Sequence, residues 1–218
     1  MRRRRRVRRE RGRVKIKKDI HGKKYPIRNI FDCIMKYDYL KLREYCTYFP
    51  NEINEALDDN IQTTPLIFAI RLKNIKAALC LIKMGADITQ TNKDNMSALM
   101  YAVQIESYEL CEKLISIDKE IVNIESKEWR RTALWYAVLQ LGSQNPNVID
   151  FRIFDLLIEN GADIYKPISN TVTPYELITH QKNAKEILTH LENNFSQIIR
   201  QSPLATGMLI RASDNECN

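Results

Sequence analysis

The sequence predicts an all-α solenoid, in which antiparallel helix pairs stack on one another and β-hairpin loops connect them. Three observations carry that reading. An opening, Thr64-Pro65-Leu66-Ile67-Phe68-Ala69, returns as Ser97-Ala98-Leu99-Met100-Tyr101-Ala102, as Thr132-Ala133-Leu134-Trp135-Tyr136-Ala137 and as Thr173-Pro174-Tyr175-Glu176-Leu177-Ile178, after 33, 35 and 41 residues. A closing motif, Leu81-Ile82-Lys83-Met84-Gly85-Ala86-Asp87-Ile88, returns as Leu157-Ile158-Glu159-Asn160-Gly161-Ala162-Asp163-Ile164. Between the two, apolar residues recur at helical spacing. Such a period marks units that bury their apolar faces against their neighbours and not in one central core.

The elements follow in order. Residues 1–24 hold nine Arg and five Lys against Glu10 and Asp19, a net +12, which leaves −5 for the rest of a chain whose total is +7. Like charges repel and little apolar surface is present, so this basic tail is expected to be disordered. Tyr25-Pro26 marks its boundary with a repeat domain over 25–195. A degenerate first unit, about 28–58, reads as helices over Asn29–Lys36 and Tyr39–Phe49. Ile30, Phe31 and Ile34 face one way, and Leu40, Leu42, Tyr45, Cys46 and Phe49 face the core. It lacks the opening motif, as suits a cap with a polar outer face.

Full units follow at about 59–91, 92–126 and 127–167. In the first, Thr64 is the N-cap and Pro65 the N1 residue, which has no N–H to leave unpaired. Its second helix runs from about Ile75 to Met84, and Gly85 supplies a left-handed C-cap. The next unit has helices at about Ala98–Ile105 and Tyr108–Ile117. Asp118 stands in the place of the capping glycine, and two added residues make the following hairpin longer or bulged. The third unit carries eight extra residues between its helices, within Leu139–Arg152. Gly142-Ser143-Gln144-Asn145-Pro146-Asn147 has the composition of a loop, either a tolerated surface insertion or a partner-contacting one. A C-terminal cap over about 168–195 has helices at Thr173–Thr179 and Ala184–Leu191, with Lys185, Glu186, His190 and Glu192 on a polar outer side. Residues 196–218 form a tail in which Phe195–Arg200 extends the last helix, and Leu204–Ile210 is mildly apolar.

These motifs, together with Ile53-Asn54 after the first unit, resemble the ankyrin repeat over roughly residues 28–195. The resemblance implies partner contacts through hairpin tips and the inner face of the first helices. By register these positions are Asn60, Ile61, Thr63, Arg71 and Leu72, then Lys93, Asp94, Met96, Gln104 and Ile105, then Glu128, Trp129, Arg131, Leu139 and Gln140. Trp129 is read both as a contact, since Trp and Arg are enriched at hot spots, and as packing against Trp135 or the first helix. Trp135 occupies the slot where the family usually has histidine, as do Ile67 and Met100, so the third unit is expected to deviate locally. Phe68, Tyr101 and Tyr136 share a slot that the family fills with leucine, which implies packing between repeats and not a base-stacking platform.

Chemistry is sparse. No nucleophile elbow, P-loop, dinucleotide fingerprint or zincin motif is present. The Asp58-Asp59 pair, Asp87 and Asp163 are read as turn residues. No catalytic, cofactor or metal residues are expected, since His21, His180 and His190 are not spaced with cysteines as metal ligands. Five cysteines without a C-x-x-C pair, and no secretory leader, point to a reducing intracellular compartment. Cys80 and Cys111 read as small core residues of the second helices. No apolar run approaches the ~18 residues of a membrane span.

The expected function is a monomeric, non-enzymatic protein-interaction scaffold in the cytoplasm. The alternative is nucleic-acid binding without sequence preference through Arg2, Arg3, Arg4, Arg5, Arg6, Arg8, Arg9, Arg11 and Arg13, or use of that run as a nuclear or nucleolar address.

Overall fold

The structure is a computed structural model that describes residues 16–18, 24–26, 29–57, 60–168 and 172–200. Helices dominate it, in two parallel rows. The first row is α1 (Ile30–Met35), α3 (Pro65–Arg71), α5 (Ala98–Gln104), α7 (Ala133–Ser143) and α9 (Pro174–Thr179). The second is α2 (Tyr39–Tyr48), α4 (Ile75–Lys83), α6 (Tyr108–Ile117), α8 (Arg152–Glu159) and α10 (Ala184–Asn194). Each first-row helix packs on its own second-row partner and on its first-row neighbours; α2, α4, α6 and α8 touch in sequence as well. This is the predicted stack of helix pairs.

The local chemistry explains the boundaries. Thr64, Ser97 and Thr173 each accept a hydrogen bond from the N3 backbone amide of the helix they open. Asn29, Asp38, Asn74 and Ser107 do the same for α1, α2, α4 and α6. Thr173 and Glu176 form a reciprocal capping box. Thr132 makes no such bond; Trp135 is not the reason by its slot alone, since Ile67 and Met100 fill the same slot beside caps that form. Gly85 and Gly161 end α4 and α8 at φ of +90° and +88°, a backbone that costs glycine nothing. Non-glycine residues take the left-handed form at two recurring places: Gln62, Asn95 and Arg130 lie two residues before an opening motif, and Lys73 and Glu106 nine after one.

The core runs the length of the stack. On α4 Ala77, Ala78, Leu81 and Ile82 are buried, and on α6 Leu110, Cys111, Leu114 and Ile115 repeat the pattern 33 residues on. Burying each Leu or Ile side chain contributes about 2 kcal/mol. Cys33 and Cys46 are buried too, while Cys80 is half-buried.

Several expectations need correction. Leu40 is 81% exposed and not in the core; Leu42 and Cys46 alone of α2 are buried. The capping position at Asp118 is not left-handed. Its φ is −149°, and its side chain instead starts a 3-10 turn over Lys119–Asn123. The eight-residue insertion is not all loop, because α7 runs on through Gly142 and Ser143 to eleven residues where α3 and α5 have seven. The slot nine residues after Thr132 is Leu141, which stays helical and buried. Phe195 interrupts the last helix, so α11 (Ser196–Arg200) is a separate turn. His190 turns inward: its ring stacks on Phe151 at 3.8 Å, and Nε2 lies 2.7 Å from Asp155 Oδ1. Regular strand is confined, among the described residues, to β1 (Ile16–Lys18) paired antiparallel with β2 (Lys24–Pro26) and to isolated bridges at Thr91–Ser97 and Ile168–Val172. The tail boundary drawn after Lys24 therefore falls inside β2. Asp58, Asp59, Leu204–Ile210, Cys217 and the rest of the basic tail lie outside the described residues.

Candidate protein-binding surface

The connecting loops are zipped into one row. Lys93 N–H donates to Ile61 O at 2.8 Å, and Lys127 N–H donates to Asp94 O at 2.8 Å, so each tip hangs on the one before it. Behind the tips, Asp87 N–H donates to Asn54 Oδ1 at 2.9 Å and Asp163 N–H to Asn123 Oδ1 at 3.3 Å. The Ile53-Asn54 pair noted in the sequence thus has an equivalent in Val122-Asn123, whose asparagine also donates to Gly161 O at 2.9 Å. Asp87 and Asp163 spend their carboxylates on the backbone amides of Thr89 and Tyr165, the turn role expected for them. Buried Asn92 folds the second tip. Its Oδ1 accepts from Asp94 N and Met96 N, and its Nδ2 donates to Tyr101 Oη at 3.2 Å.

The third tip is one residue longer. Ser126 N–H donates to Arg131 O at 2.9 Å, where Asn92 N–H donates to Met96 O at 3.1 Å. Glu125 at its base is held by Arg130 at 2.6 Å and Lys166 at 2.5 Å, and these hydrogen bonds, Arg130's first, keep its carboxyl below the usual range.

The register-derived positions divide. Asn60, Arg71, Leu72, Lys93, Asp94, Gln104, Glu128, Trp129 and Leu139 are exposed, and Ile61, Ile105 and Arg131 are half-buried. Leu72, Leu139 and Trp129 are large apolar side chains at 39%, 40% and 48% exposure. The other three, buried Thr63 and half-buried Gln140 and Met96, make bonds within the stack. Thr63 is fully buried and its Oγ1 accepts from Arg71 Nη1 at 3.3 Å. Gln140 Nε2 donates to Val103 O at 2.8 Å, a link between repeats. Met96 Sδ accepts from Tyr136 Oη at 3.4 Å. Phe68, Tyr101 and Tyr136 are half-buried against the core, Phe68 edge-on to Phe31 at 5.1 Å. Arg2 to Arg13 lie outside the described residues.

Sequence reasoning missed one arrangement. The Arg131 guanidinium lies over the Trp129 ring at 5.6 Å and over the Trp135 ring at 5.5 Å. The only signal for it was the unusual density of Trp and Arg in this tip. Elsewhere the insertion folds back. Asp150 N–H donates to Gln144 Oε1 at 2.7 Å, and Arg152, paired with Asp150, lies over the Tyr108 ring at 5.6 Å. Between α7 and the Glu106–Tyr108 turn this leaves a cleft of about 200 Å³ floored by Leu141, Ile153 and Phe154. Among the described residues no His, Cys, Asp or Glu group is arranged to hold a metal ion, and no helix is long and apolar enough to cross a membrane.

Residues 85–168 match the family model for ankyrin repeats, as 3 copies. This stretch consists of ankyrin repeats. Ankyrin repeats are generally protein–protein interaction modules, and the family is typically non-enzymatic. No curated protein matches the chain. Helix pairs continue on both sides of the matched residues, α1–α4 before them and α9 and α10 after them.

Proposed function

We propose that this chain is a non-enzymatic scaffold that grips a protein partner along the inner face of its first helices and its hairpin tips. The observation that supports this reading is the placement of Leu72, Leu139 and Trp129. All three are exposed apolar side chains at positions the repeat register gives to the inner face (Leu72, Leu139) and to a tip (Trp129), on a frame tied together by tip-to-tip backbone bonds. Apolar anchors on a pre-organised frame suit partner binding, because little side-chain and loop ordering remains to oppose it. The test is affinity capture with the full chain and two variants. Leu72→Asp with Leu139→Asp should lose the captured protein, whereas Ile117→Asp, an exposed apolar position on α6, should retain it. Equal capture by both variants, with unchanged helical circular dichroism, rejects the inner face.

The +12 charge of residues 1–24 favours a second reading, in which Arg2 to Arg13 bind nucleic acid electrostatically or serve as a nuclear address. On either reading the protein works inside the cell.

A further inference from the structure

We infer that Arg131 is a carboxylate-reading position, at which this chain takes up an Asp or Glu side chain of a partner segment flanked by apolar residues. The inference rests on the scaffold reading and names the chemistry of one contact within it.

Arg131 differs from the other arginines around it. Arg130 is paired with Glu125 and Arg152 with Asp150. Arg71, over the Tyr101 ring at 5.8 Å, also donates to Thr63. Arg131 lies over two indole rings, yet among the described residues no carboxylate or other acceptor meets its guanidinium. Aromatic rings attract a cation without neutralising it. They engage its face and leave the in-plane N–H groups, the edge that matches a carboxylate in two parallel bonds. Two donors at the same place, Arg131 Nε and Trp135 Nε1, are buried with no acceptor. Neither is open to solvent, so a partner's carboxylate, which only accepts, is met by the terminal N–H groups of the half-buried Arg131 and not by these two.

The side chain is also fixed in advance. Arg131 N–H donates to Ser126 Oγ at 3.0 Å while its carbonyl accepts from Ser126 N–H, so its backbone closes the tip. Trp129, beside it, offers apolar surface to the residue next to the acid. Lys127 in the same tip and Lys93 in the one before it are exposed, as are Glu128 and Asp94 beside them, and Lys166 is paired with Glu125. The charge that a peptide carboxylate meets here is therefore that of Arg131 itself.

The chain contains two tryptophans, and both lie over Arg131. Tryptophan emission therefore reports this tip alone. The experiment titrates the full chain with a ten-residue peptide of alternating leucine and glutamate, and with the same peptide carrying glutamine. The acidic peptide should change the emission saturably and bind about tenfold or more tightly than the amide one, a difference of about 1.4 kcal/mol. Arg131→Gln should remove that preference, and Arg131→Lys should keep part of it, having charge but no fork. Equal binding of the two peptides, no saturable response to either, or an acid preference that survives Arg131→Gln each overturns the inference. A stronger response to a duplex oligonucleotide than to the acidic peptide overturns it in favour of a phosphate reader. If Arg131→Gln still captures the partner that Leu72→Asp with Leu139→Asp loses, the scaffold reading stands and only this inference fails.

Discussion

The side-chain amide of Asn74 donates to the backbone carbonyl of Ile34 at 2.9 Å, across 40 residues of sequence. The same side chain accepts from Ala77 N–H at 3.2 Å, capping α4, and from Tyr39 Oη at 3.1 Å. One buried residue thus ends α1, starts α4 and joins two repeats. Asn74→Ala removes a cap, worth about 1 kcal/mol, and one hydrogen bond to a carbonyl that Tyr37 N–H still meets at 3.2 Å, worth about 1 kcal/mol. The expected loss is about 2 kcal/mol in a urea melt. Asn74→Asp keeps the cap but has no donor for Ile34, so it should recover only part of that loss.

A Cβ at Gly85 would meet nothing within 4 Å, and the backbone there sits at φ +90°. A substitution cost at Gly85 is therefore conformational and not steric. Gly85→Val should destabilise by at least about 1 kcal/mol, and Gly85→Asn by less, because asparagine tolerates the left-handed region. Asp118→Val should cost less than Gly85→Val, since Asp118 is extended and loses only its bond to Glu120 N–H. Equal costs for valine at the two positions would count against this account of the helix ends.

The repeats were legible where chemistry is local. The hydroxyls of Thr64, Ser97 and Thr173 cap helices because they lie next to the amides they satisfy. Features set by residues one repeat away were not legible. Gly142 and Ser143 are turn formers by composition, but they stay helical where α7 packs against α9. The Gln181 side chain covers Gly142 so closely that a Cβ there would displace it, and Asn183 Nδ2 donates to both Leu141 O and Gln144 O at 2.8 Å. His190 turns inward for Asp155, 35 residues earlier. At the candidate surface, register placed Trp129 at a tip. The bond that buries Thr63 behind Arg71 depends on a rotamer that spacing does not specify.

Burial pushes the thiols of Cys46 and Cys111 from an ordinary 9.0 up to about 12. The folded chain keeps those protons at pH values where the unfolded chain releases them. This contribution to stability is complete below about pH 9 and is lost as pH rises toward 12. The urea midpoint should therefore fall between pH 8 and pH 10.5, and the fall should be shallower in Cys111→Ala than in the parent. Parallel pH profiles for the two proteins would show that Cys111 is not the source.

Trp129 and Trp135 share Arg131 but differ in burial. Trp129 is about half exposed at the tip, so Trp129→Ala gives up an exposed cation–π contact of about 0.5–1 kcal/mol. The melting temperature should barely move, while partner affinity should fall by about 2 kcal/mol or more if the ring is a hot spot. Trp135 is half-buried within α7. Trp135→Ala should lower the melting temperature clearly. The opposite ranking of the two melting temperatures would assign Trp129 to packing.

The last expectation concerns the basic tail. Its +12 lies within 24 residues, so it should attract polyanions whatever their sequence. If it neutralises about five phosphates of duplex DNA, log affinity should fall against log salt with a slope of roughly −4.5. β2 spans Lys24–Pro26 and pairs with β1, while Asn29 caps α1 through Asp32 N–H at 2.9 Å. A chain beginning at Ile27 therefore removes the strand pair whole and keeps the cap, where a cut at Tyr25 splits the pair. That shortened chain should retain its helical signal and its protein partner and lose its DNA affinity, since the remainder of the sequence is net negative. Salt titrations of both proteins against two unrelated duplexes make the comparison. Tight preference for one duplex by the full chain would mean that the tail is more than an electrostatic arm. DNA binding that survives the truncation would place the nucleic-acid site on the repeats, and Arg2 to Arg13 would lose the role proposed for them.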